Sequence, residues 1–373
     1  MKVALIHDWL TGMRGGENCL EVFCELFPEA DIYTLLHIRG SVSDTIEGHR
    51  ISTSFIQKLP FAHTGYRYYL PLMPYAISRF DLRAYDLVFS SSHCVAKGVI
   101  VPKGALHICY CHTPMRYIWE LSDDYFGHHQ TSVFTRAPLA AFLKYLQNWD
   151  VQSSRGVNYF LANSYTVKKR IQKYYKRDAD VIYPPVDTDK FTKAENQDNY
   201  YLVVSALVPY KRIDVAVRAF NALGLPLKII GAGHKEKTLK RIAQPNIEFL
   251  GWQEKEVLRD YYARCKALIF PGMEDFGIVP LEAMASGRPV IAYAGGGALE
   301  TVVSLDQTPD PKCATGIFFR EQTPECLIEA INRFQKTQDQ FDPAVICRHA
   351  ENFRRPLFKE KIKNFIENKA GCL

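Results

Sequence analysis

Apolar residues fall into short solid runs separated by longer stretches of mixed spacing. Val3 to Ile6 is the first run, and a polar, glycine-rich stretch from Thr11 to Gly16 follows it. Leu20, Phe23, Cys24 and Phe27 then recur at i, i+3, i+4 and i+7, which is helical spacing. Strand, glycine loop and helix together predict the opening of a βαβ unit. Leu87–Ser90, Leu106–Cys111 and Tyr159–Ala162 read as later strands of the same doubly wound domain. Tyr183-Pro184-Pro185-Val186-Asp187 favours extended backbone and predicts a connector. A second series begins with a strand at Tyr201–Ala206 and a helix at Asp214–Leu223, with Val215, Ala219 and Ala222 on one face. Leu227–Ile230, ending at Gly231 and Gly233, then Ile247–Leu250, Ala267–Phe270 and Pro289–Ala292 continue it. Pro356 to Lys369 predicts a charged helix with Ile362, Phe365 and Ile366 as its apolar stripe. The expectation is an α/β chain of two doubly wound, Rossmann-like halves facing a cleft.

Composition changes that picture little. The 373 residues are 47% hydrophobic and 23% charged, which excludes a mostly disordered chain. A net charge of +6 is too weak to argue for nucleic acid, and no nucleic-acid partner is expected. The ten cysteines have no zinc or disulfide spacing. The apolar run after Met1 is too short for a signal-peptide core, and no stretch reaches the roughly 18 apolar residues of a membrane span. These features read as a reduced, cytoplasmic chain, with peripheral contact at the cytoplasmic face of a membrane left open.

Two constellations carry chemistry. In the stretch from Phe270 to Gly287 a strand leads through a loop bearing Glu274 into a helix starting near Gly277, with Pro280 in its first turn. The amides of Gly277, Ile278 and Val279 then form an anion site at the carboxyl end of a strand. Glu274 and Glu282 flank it, and each carboxylate can accept two polyol hydroxyls. Both acids also suit a helix N-terminus by dipole alone. In the second constellation, Ser205 to Asp214, a strand leads to a helix whose N-terminus carries Lys211 and Arg212. Cations oppose the dipole there, and a bound anion removes the conflict. A solvated charge pair is the plainer reading of the same residues. Taken together, cations for phosphate and carboxylates for hydroxyls suit a phosphorylated sugar.

The Glu274–Glu282 pair with Phe276-Gly277, Pro280-Leu281-Glu282-Ala283-Met284-Ala285 and Gly287 resembles the retaining glycosyltransferases of family 4, which have the GT-B fold. Gly15-Gly16-Glu17, His112-Thr113-Pro114, Asn163-Ser164, Pro185-Val186-Asp187, Gly231-Ala232-Gly233, Gly295-Gly296 and Glu300-Thr301 match in family order. Val208-Pro209-Tyr210-Lys211-Arg212 resembles the bacterial exopolysaccharide and O-antigen branch. Where many members carry an arginine five residues before the lysine, this chain has Ala206.

The resemblance implies an acceptor-side domain over 1–183, a nucleotide-sugar domain over 184–355, and a segment over 356–373 packing back on the first. It implies transfer of a hexose from a nucleoside diphosphate sugar, without a metal or cofactor, to a glycan or lipid-linked acceptor. UDP-glucose is mildly favoured as donor, with GDP-mannose next. Glu282 is expected on the ribose, Glu274 on the donor sugar, and the amides of Phe276 to Val279 on sugar and distal phosphate. Lys211 and Arg212 are expected on the diphosphate, with Ser205 and Gly231 lining the donor site. Gly15 and Gly16 offer bare backbone to the diphosphate, and His112 is expected beside the anomeric carbon.

Asp178-Ala179-Asp180 and Asp187-Thr188-Asp189 have the aspartate spacing of metal-dependent transferases, but they lie at the domain junction and read as chance matches. Tyr165 to Arg177 holds six cations, and Phe61 to Phe80 is rich in Tyr, Leu and Pro, so both are candidates for anionic lipid. A GT-B sugar-nucleotide epimerase and a non-catalytic nucleotide-sugar-binding protein remain the alternatives. A dinucleotide dehydrogenase is disfavoured because Gly12 to Gly16 lacks G-x-G-x-x-G spacing.

Overall fold

The computed structural model describes residues 1–120, 133–194 and 196–371, so the last two positions of the 356–373 segment lie outside the described residues. The chain divides into two compact units, Met1–Pro185 with Phe358–Leu373, and Val186–Leu357.

In the first unit, β1 (Val3–His7), β2 (Asp31–Thr34), β3 (Ile51–Thr53), β4 (Leu87–Ser92), β5 (Leu106–Cys111), β6 (Tyr159–Ala162) and β7 (Asp180–Val181) form one parallel sheet. Their order is β3-β2-β1-β4-β5-β6-β7. Strand order reverses direction between β1 and β4, and such switch points are where open α/β sheets place their ligands. β1, β4 and β5 are buried throughout, as both-face coverage requires. One face is covered by the Gly15–Leu26 helix through Leu20, Phe23 and Cys24, and by Phe358, Ile362 and Ile366 of the Arg355–Ala370 helix. Phe358 meets Phe23 and Tyr110 at 5.8 and 5.7 Å between ring centroids.

In the second unit, β8 (Tyr201–Val204), β9 (Leu227–Ile230), β10 (Ile247–Gly251), β11 (Leu268–Phe270), β12 (Val290–Tyr293) and β13 (Gly316–Phe319) are also parallel, in the order β10-β9-β8-β11-β12-β13. Here the switch point falls between β8 and β11. The helix after β8 runs Ile213–Leu223 and buries Val215, Ala216, Ala219 and Phe220, whereas Ala222 is exposed. The apolar stripe therefore continues through Phe220 rather than Ala222. β2, β3, β7 and β13 lie beyond the strands that hydrophobic patterning picked out.

Candidate functional site

Both switch points gather polar residues. In the second unit, β8 continues as extended chain to Leu207, because Ser205 N and Leu207 N donate to the carbonyls of Ile230 and Ala232 at 3.0 Å each. A Cβ at Gly231 would overlap the Ser205 carbonyl, and one at Gly233 that of Leu207, so these glycines permit the two backbones to meet. Gly231 is thus accounted for by packing against Ser205, whose hydroxyl donates to the Ala206 carbonyl at 3.1 Å.

A short turn of 3-10 helix, Pro209–Lys211, comes next. Lys211 sits in this turn rather than in the following helix, and Arg212 is that helix's N-cap, in the left-handed region at φ 52°. The turn lies against the loop after β11, with a Cβ on Gly272 falling 3.0 Å from Lys211 Cα. Across this contact the Lys211 ammonium pairs with the Glu274 carboxylate, both side chains being largely covered. Arg212 points elsewhere. Its Nε donates to Asp214 Oδ1 at 3.3 Å and its Nη2 to the Gln322 carbonyl at 3.1 Å. Gln322 in turn donates to the Pro271 carbonyl at 2.7 Å.

The helix after β11 runs Ile278–Ala285, with Gly277 as N-cap at φ 86°. Its first amides, Ile278 and Val279 among them, have no in-helix acceptors. Gly287, at φ 72°, follows the last turn and suits the left-handed exit of a helix. Glu282 lies on the second turn and accepts the Tyr262 hydroxyl at 2.8 Å. Burial pushes its carboxyl up, against the pull of Tyr262, Lys255 and Arg259. The loop from Glu274 to Phe276 is clamped from behind. Gly297 N donates to the Glu274 carbonyl at 2.9 Å, and a Cβ on Gly296 or Gly297 would strike the backbone of Glu274 or Phe276. Tyr262 and Gly297 escape sequence reasoning, although a third glycine after Gly295-Gly296 was a readable sign of close backbone approach.

In the first unit, Gly15 and Gly16 open the Gly15–Leu26 helix, capped by Arg14 N donating to Glu17 Oε2 at 3.1 Å. A Cβ on Gly16 would touch His7 and His112 at 3.5 and 3.7 Å. His7 ends β1, Ser91 lies in β4, and His112 follows β5. Asp8 is buried and accepts the amides of His93, Cys94, Val95 and Ala96 at 2.6–2.9 Å. Burial works to raise its carboxyl, but His93, these amides and His7 hold it below the usual carboxylate range. The His112 ring stands edge-on to Tyr110 at 5.2 Å. Trp119 stacks on Tyr174 and donates to Asp150 at 2.8 Å.

One aspartate of each junction pair is engaged with cations. Asp178 meets Lys168 at 3.1 Å, and Asp187 meets Lys190 at 2.8 Å and Arg355 at 3.4 Å. No metal-holding cluster of His, Cys, Asp or Glu occurs among the described residues. In the Tyr165–Tyr175 helix, Arg170 is buried against Glu120 at 2.9 Å and Lys168 pairs with Asp178, while Lys169 and Lys173 are exposed. Arg177, just beyond it, donates to the carbonyls of Ser154, Val157 and Asn158. By contrast Phe61, Tyr68 and Tyr75 are 83%, 89% and 59% exposed. No helix among the described residues is long and apolar enough to cross a membrane.

Two parallel sheets, each with its polar residues at a switch point, define a GT-B protein. "Glycosyltransferase Family 4" matches residues 14–190, and "Glycosyl transferases group 1" matches residues 186–346. The chain belongs to the family 4 glycosyltransferases of GT-B fold. It is 30% identical to the O-antigen chain mannosyltransferase RfbU of Salmonella typhimurium over 171 residues, 40% of this chain and 45% of that protein. It is 34% identical to the GDP-mannose-dependent alpha-(1-6)-phosphatidylinositol monomannoside mannosyltransferase of Mycobacterium tuberculosis over 172 residues, 38% of this chain and 44% of that one. The chain spans less than half the length of these relatives. Among solved structures, Anabaena Alr3699/HepE in complex with UDP superposes with a TM-score of 0.69 at 15% identity, over 99% of this chain and 100% of the other. At that identity the likeness shows the fold alone.

Proposed function

We propose that the protein is a metal-independent, retaining hexosyltransferase that takes its sugar from a nucleoside diphosphate. Its acceptor would be a glycan or lipid-linked saccharide in surface or exopolysaccharide synthesis. The observation that carries this reading is the Lys211–Glu274 ion pair beside the open amides of the Ile278–Ala285 helix, at the switch point of the second unit. A diphosphate arriving there takes the Lys211 ammonium and the amides of Phe276 to Val279 as its partners. Glu274 is then released to accept donor-sugar hydroxyls, and Glu282 receives the ribose. Positive charge held beside the leaving diphosphate stabilises the negative charge growing on it, an effect on the order of several kcal/mol. Arg212 must leave Asp214 and the Gln322 carbonyl to join, so Lys211 is the leading cation. His112, Gly15 and Gly16 lie together at the switch point of the first unit.

The relatives named as mannosyltransferases move the donor expectation from UDP-glucose to GDP-mannose. Peripheral contact with anionic membrane would draw on the exposed aromatics Phe61, Tyr68 and Tyr75 and on the exposed Lys169, Lys173 and Lys176. The test is a thermal-shift screen with GDP, UDP, ADP and TDP, followed by donor turnover and determination of the product's anomeric configuration. GDP is expected to give the largest shift, with transfer from GDP-mannose and retention. Glu282→Ala and Lys211→Ala should weaken nucleotide binding, and Glu274→Ala should chiefly lower turnover. Absence of a shift with every nucleotide rejects the proposal, and release of an altered donor without an acceptor identifies an epimerase instead.

A further inference from the structure

At the switch point of the first unit, Asp8 is committed to backbone amides, but its polar neighbours form a chain of a different kind. Glu17 Oε1 lies 3.6 Å from His7 Nε2, which makes no hydrogen bond of its own. His7 Nδ1 is 3.1 Å from Ser91 Oγ, and Ser91 Oγ is 2.8 Å from His112 Nε2. His7, Glu17 and Ser91 are all buried. Among the described residues nothing bonds His112 Nδ1 at the far end.

The direction of this chain follows from counting protons. Burial acts to raise the Glu17 carboxyl, but the contact with His7 outweighs it and holds the group below its ordinary value. An ionised carboxylate only accepts, so the proton facing it belongs to His7 Nε2. For a singly protonated His7 ring, Nδ1 is then an acceptor, and the single hydroxyl hydrogen of Ser91 goes to it. The Ser91 oxygen is left to accept from His112 Nε2–H. Burial, with His93 and His7 close by, draws His112 down to about 3, so its ring stays neutral and its Nδ1 keeps a lone pair.

We propose that Glu17, His7 and Ser91 are a positioning relay that holds His112 as its Nε2–H tautomer and presents the Nδ1 lone pair to a sugar hydroxyl. The tautomer of a histidine is set by the bond its other nitrogen makes. The hydroxyl contact rests on the function proposed above, whereas the relay is read from the first unit alone.

Glu17→Gln tests the direction. Its amide oxygen can keep the Arg14 N–H, which places the amide NH2 against His7 Nε2. His7 must then carry its proton on Nδ1, Ser91 must donate to His112 Nε2, and His112 must become the Nδ1–H tautomer. Nitrogen-15 NMR of full-length, histidine-labelled protein reads this directly, with the His112 signal assigned by its loss in His112→Asn. The expected result is Nε2–H in the native protein and Nδ1–H in Glu17→Gln. Ser91→Ala should lose the fixed tautomer, and Ser91→Thr should keep it. In transfer assays Ser91→Ala and Glu17→Gln should lower kcat about tenfold with little change in donor KM, and Ser91→Thr should recover most of it. A native Nδ1–H signal, or an unchanged tautomer in Glu17→Gln, overturns the relay. If the native protein transfers no sugar, the functional reading fails while the NMR result still decides the relay.

Discussion

His107 is buried in β5 with its Nε2 2.9 Å from Ser90 Oγ and its Nδ1 3.2 Å from the Gly156 carbonyl. Burial, with Lys97 nearby, lowers it to about 4. In the unfolded chain it takes up its proton near pH 6.5. Between those values the unfolded state binds more protons than the folded one, so the stability contributed by neutral His107 is complete above pH 6.5 and falls as pH drops toward 4. Each pH unit crossed removes up to about 1.4 kcal/mol. Urea unfolding at pH 7 and pH 5 should show a smaller acid loss in His107→Gln than in the native protein, and equal losses would refute the assignment. At this scale the sequence displayed the site's chemical types but not its pairings. Lys211 and Glu274 were both legible as ligand-facing groups. That they neutralise each other depends on two loops distant in sequence meeting at Gly272, which periodicity does not encode.

Most strands were legible from their apolar residues, although the wholly apolar β13 was missed. Leu106–Cys111, Tyr159–Ala162 and Leu227–Ile230 stand where the pattern puts them. β7 is only two residues and β3 carries Ser52 and Thr53, so pairing with a neighbour, rather than local preference, makes them strands. The site loops likewise depend on partners. Gly231, Gly233, Gly296 and Gly297 look like loop glycines in sequence but are points where one backbone rests on another. The segment from Phe55 to Ile77, a series of short helical turns, is different again. It buries Ile56, Tyr66, Leu70 and Met73 while leaving Phe61, Tyr68 and Tyr75 outward, with Arg67 and Arg79 against aromatic rings. Exposed rings beside cations suit an anionic interface. Co-sedimentation with vesicles containing phosphatidylglycerol should exceed that with neutral vesicles and fall in a Phe61→Ser, Tyr68→Ser variant. Equal recovery in all cases removes this segment from the proposal.

At the scale of the molecule, two strand–helix series were legible because each repeats the alternation of an α/β sheet. The second unit, Val186–Leu357, is inserted within the first, whose last part begins at Phe358. Phe358, Ile362 and Ile366 are almost wholly buried there. Each such side chain contributes about 1.5–3 kcal/mol on burial, so three together rival the 5–15 kcal/mol that holds a typical domain folded. A chain ending at Leu357 should unfold at markedly lower denaturant concentration in the first unit and bind a hydrophobic dye. An unchanged transition would show that the helix is dispensable.

The insertion also gives the protein a clock. During synthesis the strands of the first sheet are made before the second unit, yet part of their cover is made only after it. At about 5–20 residues per second, translating Val186–Leu357 occupies roughly 10–35 s. For that interval the face formed by Phe23, Tyr110 and their neighbours waits for Phe358. The nascent first unit is therefore open to chaperones, or to mispairing with other chains, until Phe358 and the residues after it emerge.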